Sequence, residues 1–313
     1  MPTPPPTLHL IDASLYVFRA WHSLPAEEFH DPDGWPTNAV QGFARFLLEL
    51  LESERPSHIA VAFDESLGSN FRHALYPAYK ANRDPAPPEL KRQFAWCKAL
   101  CTALGLATLA HANYEADDLI GSAIWTSRNR GFRSVIVSAD KDLSQLLREG
   151  DEQVDFGKGL RWGHGGVKSR HGVHAEQIPD YLALAGDAVD NIPGVGGIGA
   201  KTAAVLLAHF GSLDALLERI DEVAFLRLRG AARVAASLRA QREQALLFRQ
   251  LTTIACDAPL GYCDAAAPRG PADPEMLEAL AGTLRFGPMT RRRLRQAAGL
   301  EGEPGAQPPP HPA

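Results

Sequence analysis

No run of apolar residues in these 313 positions approaches the about 20 that a membrane-crossing helix needs, so no membrane span is expected. The first residues, Met1 to Thr7, are mostly proline, with neither a basic stretch nor an apolar core, so no secretory leader is expected there. Cysteine is scarce. Cys97, Cys101, Cys256 and Cys263 form no disulfide framework, and a reducing cytoplasmic setting follows. Cys97 and Cys101 lie one helical turn apart, but no second Cys or His pair has zinc-ligand spacing, and both read as core thiols. His164, His171 and His174 likewise show no zinc pattern and read as surface residues. A basic excess is lacking too. The net charge of −5 argues mildly against nucleic acid, although a cluster of cation-bound acids hides a local basic surface in such an average.

What is present is ordinary for a globular protein: 45% hydrophobic and 22% charged residues, in a chain long enough for one large or two small domains. Several short apolar runs end in acids. Residues 8–11 read as a buried strand ending in Asp12, and 59–63 as a second ending in Asp64. Residues 106–110 are a third strand candidate, leading to Tyr114-Glu115-Ala116-Asp117-Asp118, where Asn113 can cap a helix and acids favour its first turn. Residues 134–138 form a fourth, followed at once by Asp140-Lys141-Asp142, where Leu143, Leu146 and Leu147 start a helix. Residues 153–156 give a last strand, and 157–172, rich in Gly, His, Lys and Arg, an exposed loop. Helical spacing marks 37–54 through Val40, Phe43, Phe46, Leu47, Leu50 and Leu51, and a further helix covers 89–104. Strands alternating with helices predict a mostly parallel α/β sheet, whose carboxyl edge is where ligands bind.

From about Ala175 the chain turns helical and alanine-rich, with a helix over 178–185, then Asp187 and Asp190, then a glycine-rich turn, Gly194 to Lys201-Thr202, opening another helix. A low-complexity link over 265–274 precedes a short helix at 276–284. A disordered, Pro- and Gly-rich tail is expected over 299–313.

Nine acids therefore sit at element ends: Asp12, Asp64, Glu115, Asp117, Asp118, Asp140, Asp142, Asp187 and Asp190. A lone Asp after a strand is more often a cap or turn residue. Nine are another matter, because two like charges about 4 Å apart repel by roughly 4 kcal/mol at an effective dielectric near 20. Hard divalent cations relieve that repulsion, and two-metal sites recur in enzymes that cut phosphodiesters. The glycine turn fails as an ATP-binding loop by one residue, since Ala200 separates Gly199 from Lys201. It suits a turn in which Gly194, Gly196, Gly197 and Gly199 let a DNA phosphate approach backbone amides, against the plain alternative of a tight turn between core helices. The basic, aromatic stretch 71–83 is either a solvated surface or a DNA contact, with Arg72, Lys80 and Arg83 neutralising phosphates and Tyr79 stacking on a base. Arg19 is a surface arginine or a phosphate clamp.

The motifs LIDAS, VAFD, FRHALYPAYKANR, YEADDLIG, VSADKDLSQLL and GDAVDNIPGVGGIGAKTAAVLL, with LRFGPMTRRRL near the end, resemble those of the 5′-nuclease domain at the N-terminus of bacterial DNA polymerase I. That domain is related to phage 5′-exonucleases and flap endonucleases. The resemblance covers residues 8–298 and, with no polymerase following, suggests a stand-alone member. It implies a PIN-like 5′-nuclease fold: an α/β nuclease domain over 8–174 with a metal site and helical arch, and a helical DNA-binding lobe over 175–298 built on a helix–three-turn–helix. It also implies two Mg²⁺ or Mn²⁺ ions, with Asp12, Asp64, Glu115 and Asp117 mainly on one, Asp142, Asp187 and Asp190 on the other, and Asp118 and Asp140 bridging or behind them. Lys80 and Arg83 match the family's basic residues at the base of the helical arch through which the free 5′ strand passes, Arg19 an arginine near the scissile phosphate, and Tyr79 an aromatic that stacks on the terminal nucleotide. Gly194, Gly196, Gly197, Gly199, Lys201 and Thr202 match the duplex-gripping turn, which also binds K⁺ in some relatives. Ala13 departs from the family's usual Gly, and the proline-rich approach to the arch puts threading in question. The expectation is a cytoplasmic, nucleoid-associated monomer that cuts DNA at 5′ flaps, nicks, gaps or 5′ ends, with replication or repair proteins as further partners. The rivals are a silent DNA-junction binder of the same fold and a PIN-like ribonuclease.

Overall fold

In the computed structural model the described residues are 5–65, 70–260 and 266–300. Cys263, part of the 265–274 link and residues 301–313 of the expected tail lie outside them. Six strands form one sheet: β1 (Thr7–Asp12), β2 (His58–Asp64), β3 (Ala107–His111), β4 (Arg133–Val137), β5 (Glu152–Asp155) and β6 (Leu160–Gly163). Their order is 3-2-1-4-5-6. β1 runs parallel to both β2 and β4, β4 runs parallel to β5, and β5 and β6 pair antiparallel. β1, β2 and β4 are apolar on both faces, as strands covered on both sides must be.

The helices in chain order are α1 (Ala13–Ser23), α2 (Asn38–Glu54), α3 (Phe71–Leu75), α4 (Pro88–Ala103), α5 (Ala116–Arg128), α6 (His164–His171) and α7 (Ile178–Ala185). After them come α8 (Ala200–Phe210), α9 (Leu213–Glu218), α10 (Ala231–Ala240), α11 (Arg242–Thr252), α12 (Pro274–Thr283) and α13 (Pro288–Ala297). None is long and apolar enough to cross a membrane.

The chain packs as two compact units, each drawn from three stretches. One takes residues 1–15, 56–87 and 108–268; the other takes 16–55, 88–107 and 269 onward. The first holds the sheet together with α7 to α11, so the sequence position 174/175 lies inside it. α7 packs on α11, and α5 on β1, β2 and β4. The second unit is helical. Buried Val40, Phe43, Leu47, Leu50 and Leu51 of α2 face α4 and α13, each contributing about 1.5–3 kcal/mol by leaving water. Tyr16 stacks on Phe46 with centroids 3.7 Å apart, and the Arg92 guanidinium lies 4.9 Å from the rings of both Trp35 and Trp96.

Two local expectations need correction. Residues 157–172 are not an exposed loop: they supply β6 and α6, because Trp162 turns inward and donates from Nε1 to Ser144 Oγ at 3.2 Å. A four-residue edge strand is too short to reveal its alternation. The leucines after Asp142 form a 3₁₀ turn, Asp142–Leu146, which stops where Leu147 becomes extended. The segment LRFGPMTRRRL ends in a helix, α13, whose arginines masked its apolar side.

Candidate active site

Because β1, β2 and β4 are parallel, their carboxyl ends share one edge, and the acids lie there. Asp12 closes β1, Asp64 closes β2, Glu115 caps α5 after β3, and Asp140 and Asp142 follow β4. β1 and β4 are neighbours although β2 lies between them in sequence, so Asp12 and Asp140 flank the point where the chain's winding reverses. Asp187 and Asp190 reach the same place on a hairpin between α7 and α8. That hairpin is closed by Asp187 N to Ile192 O at 2.7 Å and Ile192 N to Asp187 O at 2.8 Å. A cleft there is lined by Leu15, Asp140, Lys141, Asp142, Asp187 and Asp190.

The carboxylates repel one another. Burial, reinforced by the charge of Asp64, pushes Asp12 up to about 7, even though Ser138 Oγ donates to its Oδ2 at 2.8 Å. Asp117 is raised well above the usual range by burial and then by Asp140, Asp12, Asp64 and Glu115, and its carboxylate accepts no hydrogen bond among the described residues. Asp142 is raised by burial and Asp140, and its Oδ1 is buried without a hydrogen-bond partner, the Lys141 ammonium standing 3.5 Å away. Asp64 accepts from the Ala116 amide at 2.8 Å.

Cations line the rim. Lys80 Nζ lies 2.6 Å from Glu115 Oε1 and 3.8 Å from Asp190 Oδ1. Burial pulls the Lys80 ammonium down in pKa, but Glu115 and Asp190 outweigh it and keep it charged. Burial in turn pushes Glu115 up, yet Lys80 and Arg72 hold it below the ordinary carboxylate value. Lys141 donates to Asp187 Oδ2 at 2.6 Å, and half-exposed Arg83 to Asp190 Oδ1 at 2.8 Å. The segment bearing Lys80 and Arg83 is a chain of turns rather than a helix, laced to the 187–192 hairpin by Lys80 N to Asp190 O at 3.0 Å and Asn191 Nδ2 to Ala78 O at 2.7 Å.

Three expected contacts are interior instead. Arg72 is 2% exposed and grips both Asp118 oxygens at 2.7 Å, so it is not a phosphate contact. Asp118 also accepts from the amides of Glu115 (3.0 Å) and Ala255 (2.9 Å), which leaves it saturated and fully enclosed rather than a metal ligand. Tyr79 is 1% exposed, its hydroxyl donating to Glu115 at 3.0 Å or Asp190 at 3.1 Å, so its ring does not offer a stacking face. Arg19 lies on the part of α1 that belongs to the other unit, its guanidinium over the Tyr16 ring at 5.5 Å.

The glycine turn divides by role. Gly194 (φ +70) is packed against the backbone of Gly186, where a Cβ would meet Gly186 N at 2.4 Å, so Gly194 is structural. The Gly196 amide is taken by Gln241 Oε1 at 3.0 Å. Gly197 (φ +84) and Gly199, the N-cap of α8, have open space where a Cβ would stand, and their amides have no partner among the described residues. Lys201 is exposed and Thr202 half-buried in the first turn of α8.

A family model described as "5′-3′ exonuclease, N-terminal resolvase-like domain" matches residues 7–172. A second, "5′-3′ exonuclease, C-terminal SAM fold", matches residues 173–275. The chain belongs to the 5′-3′ exonuclease family. DNA polymerase I of Mycobacterium tuberculosis (strain ATCC 25618 / H37Rv) is 38% identical over 303 residues, 96% of this chain and 32% of that one. DNA polymerase I of Bacillus subtilis (strain 168) is 38% identical over 262 residues, 81% and 28% of the two chains. The chain thus spans about a third of the length of the curated relatives it matches. Among solved structures, T5 5′-exonuclease with bound zinc aligns at a TM-score of 0.65 and 20% identity, covering 94% of this chain and 99% of that one. The catalytic core of Rad2 with a DNA substrate aligns at 0.60 and 14%, covering 94% and 91%. At those identities the likeness establishes the shared fold: a mostly parallel sheet with flanking helices and a helical C-terminal part.

For this 5′-3′ exonuclease family member the donor chemistry fits hard divalent ions: carboxylate oxygens, two of them raised in pKa and short of donors. Among the described residues no three His, Cys, Asp or Glu side chains already converge as one ion's ligands, so the fit lies in the chemistry of the set rather than in a closed cage. Reading the sequence missed the polar residues behind the acids: Ser138, which bridges Asp12 and the Asp140 amide (2.8 and 3.0 Å), and Lys141, whose position between two acids was a usable signal.

Proposed function

We propose that the protein is a structure-specific 5′ nuclease that hydrolyses DNA phosphodiesters at flaps, nicks, gaps or 5′ ends, using two divalent cations, Mg²⁺ or Mn²⁺. What carries this is the gathering of the acids at the carboxyl edge of β1, β2 and β4, where the charges of Asp140, Asp12, Asp64 and Glu115 all oppose ionisation of Asp117, which accepts no hydrogen bond among the described residues. Asp12, Asp64, Glu115, Asp117 and Asp140 would hold one ion, and Asp142, Asp187 and Asp190, with Asp140 shared, the other. Bound there, the ions would polarise the phosphodiester and ready a water for attack.

The chain's own residues do the rest. Lys80 and Arg83 offer positive charge at the rim, where a bound phosphate competes with Glu115 and Asp190 for them. Arg19 is a further candidate clamp. The open amides of Gly197 and Gly199, with Lys201 and Thr202, receive a duplex phosphate at the start of α8; K⁺ at the same turn would share that phosphate. Related proteins support the choice of DNA: one T5 D15 structure is described as a flap endonuclease with DNA and metal ions, and Rad2 is described with a DNA substrate.

The test is cleavage of a 5′-labelled DNA flap in Mg²⁺, beside EDTA, Asp142→Ala and a matched RNA flap. The wild type should release the DNA flap only with the cation. Asp142→Ala should cut at least about a hundredfold more slowly while still binding the flap in Ca²⁺. Undiminished cutting in EDTA or by Asp142→Ala would overturn the assignment, and preference for RNA would move it to a ribonuclease.

A further inference from the structure

Gln153 is wholly enclosed on β5. A buried amide is costly unless its hydrogen-bonding groups are matched, and here they are. Its Nε2 donates to Ser138 O at 3.1 Å and to Asp140 O at 2.5 Å, and its Oε1 accepts from Ser144 Oγ at 2.7 Å. Ser144 Oγ in turn accepts from Trp162 Nε1 at 3.2 Å. Both carbonyls belong to the turn that leaves β4 and carries Asp140 and Asp142.

That turn needs a tether. The β4–β5 ladder ends at Val137 opposite Val154, so beyond it no strand pairing holds the chain. The charge of Asp140 meanwhile bears on Asp12, Asp117 and Asp142, which drives the turn away from the other acids. Gln153 takes over where the ladder stops. On the far side Ser138 Oγ accepts from Asp140 N at 3.0 Å and donates to Asp12 at 2.8 Å, and Asp142 N donates to Asp140 Oδ1 at 2.9 Å. A continuous network, buried from Trp162 on β6 through Ser144 and Gln153 to Ser138, thus runs to the acids, and such networks fix geometry.

We propose that Gln153 is a positioning residue for the acidic site: its carboxamide holds the Ser138–Asp140 backbone so that Asp140 and Asp142 face the other carboxylates, and it thereby sets the affinity for divalent cations. It touches neither cation nor substrate. The inference rests on the nuclease reading above.

Gln153→Met keeps the side chain's length and removes every hydrogen bond. Titration calorimetry with Mn²⁺, on the full chain without DNA, reads cation affinity apart from activity. Gln153→Met should bind Mn²⁺ about 10- to 100-fold more weakly than the wild type. Leu238→Ala, a core truncation on α10, should lower thermal stability and leave Mn²⁺ affinity unchanged. Should Gln153→Met not fold, Ser144→Ala removes the hydroxyl that orients the amide and should weaken Mn²⁺ binding in the same direction. Wild-type affinity in the folded variant, or an equal loss in Leu238→Ala, overturns the proposal. A wild type that binds no Mn²⁺ at all overturns the cation reading itself, a distinct result.

Discussion

Arg72 carries its charge into the interior, and every direction of its guanidinium is used. Both terminal nitrogens meet Asp118 at 2.7 Å, Nε donates to Leu251 O at 2.8 Å, and Nη2 also reaches Thr253 O at 3.1 Å. It ties α3 to α5 and to the end of α11. Removing it strands Asp118 without its counter-charge, so Arg72→Ala should cost about 3–5 kcal/mol in urea unfolding. Arg83→Ala, at a half-exposed pair, should cost no more than about 1 kcal/mol. Equal losses in the two would mean that the buried pair is not the tie described. The sequence offered both arginines as members of one basic stretch. It could not separate them, because α3 is a five-residue helix with too few turns for periodicity to show which side faces inward. Tyr79 lies in the turns that follow, where there is no periodicity to read. The acids were easier to read: a carboxylate after an apolar run marks a strand's end whatever the packing, though Asp118 shows that sharing a motif does not mean sharing a task.

The hairpin and turn between α7 and α8 show how an element divides work among like residues. Gly186 (φ +82) and Gly194 (φ +70) touch backbone to backbone, with no flexible atom to give way. Gly194→Ala should therefore destabilise by at least about 2 kcal/mol, through both strain and collision. Gly199 (φ −96) has open space around it, and Gly199→Ala should change stability by less than about 0.5 kcal/mol while weakening binding to nicked duplex. Thermal melts beside duplex titrations check both, and the opposite pattern would exchange the two roles. From sequence alone these glycines carry equal weight. What separates them is the sign of φ and the nearest atom, and neither is written in composition. The same holds at β5: nothing in the order Glu152-Gln153-Val154 says that the amide reaches the next strand's turn, because that contact depends on where β4 stops pairing.

Across the molecule, the acids make stability depend on pH in an unusual direction. Asp12 holds its proton up to about 7 when folded, against an ordinary value of 3.8, so between those values the folded chain binds more protons than the unfolded one. Stability from this group is full below about pH 4 and is lost as pH rises through about 7, a swing on the order of 4 kcal/mol. Asp117 and Asp142, also raised, act in the same sense, while the lowered Glu115 acts oppositely as pH falls below its ordinary 4.5. In EDTA, unfolding midpoints should therefore fall from pH 5 to pH 8, and Mg²⁺ should flatten the trend. A midpoint that rises with pH in EDTA would show that the acids are not crowded as described.

The strand order has a consequence during synthesis. β1 is made first yet lies in the middle of the sheet, and its second neighbour, β4, does not begin until Arg133. At the usual pace of a ribosome that is on the order of ten seconds later. Until then one side of β1 has no strand to pair with, and Asp12 lacks the Ser138 hydroxyl that steadies it. An emerging chain that has not yet reached β4 therefore has no assembled acidic edge. The order in which the strands are translated thus delays the crowding of the acids until Asp190 has followed Asp142 out of the ribosome.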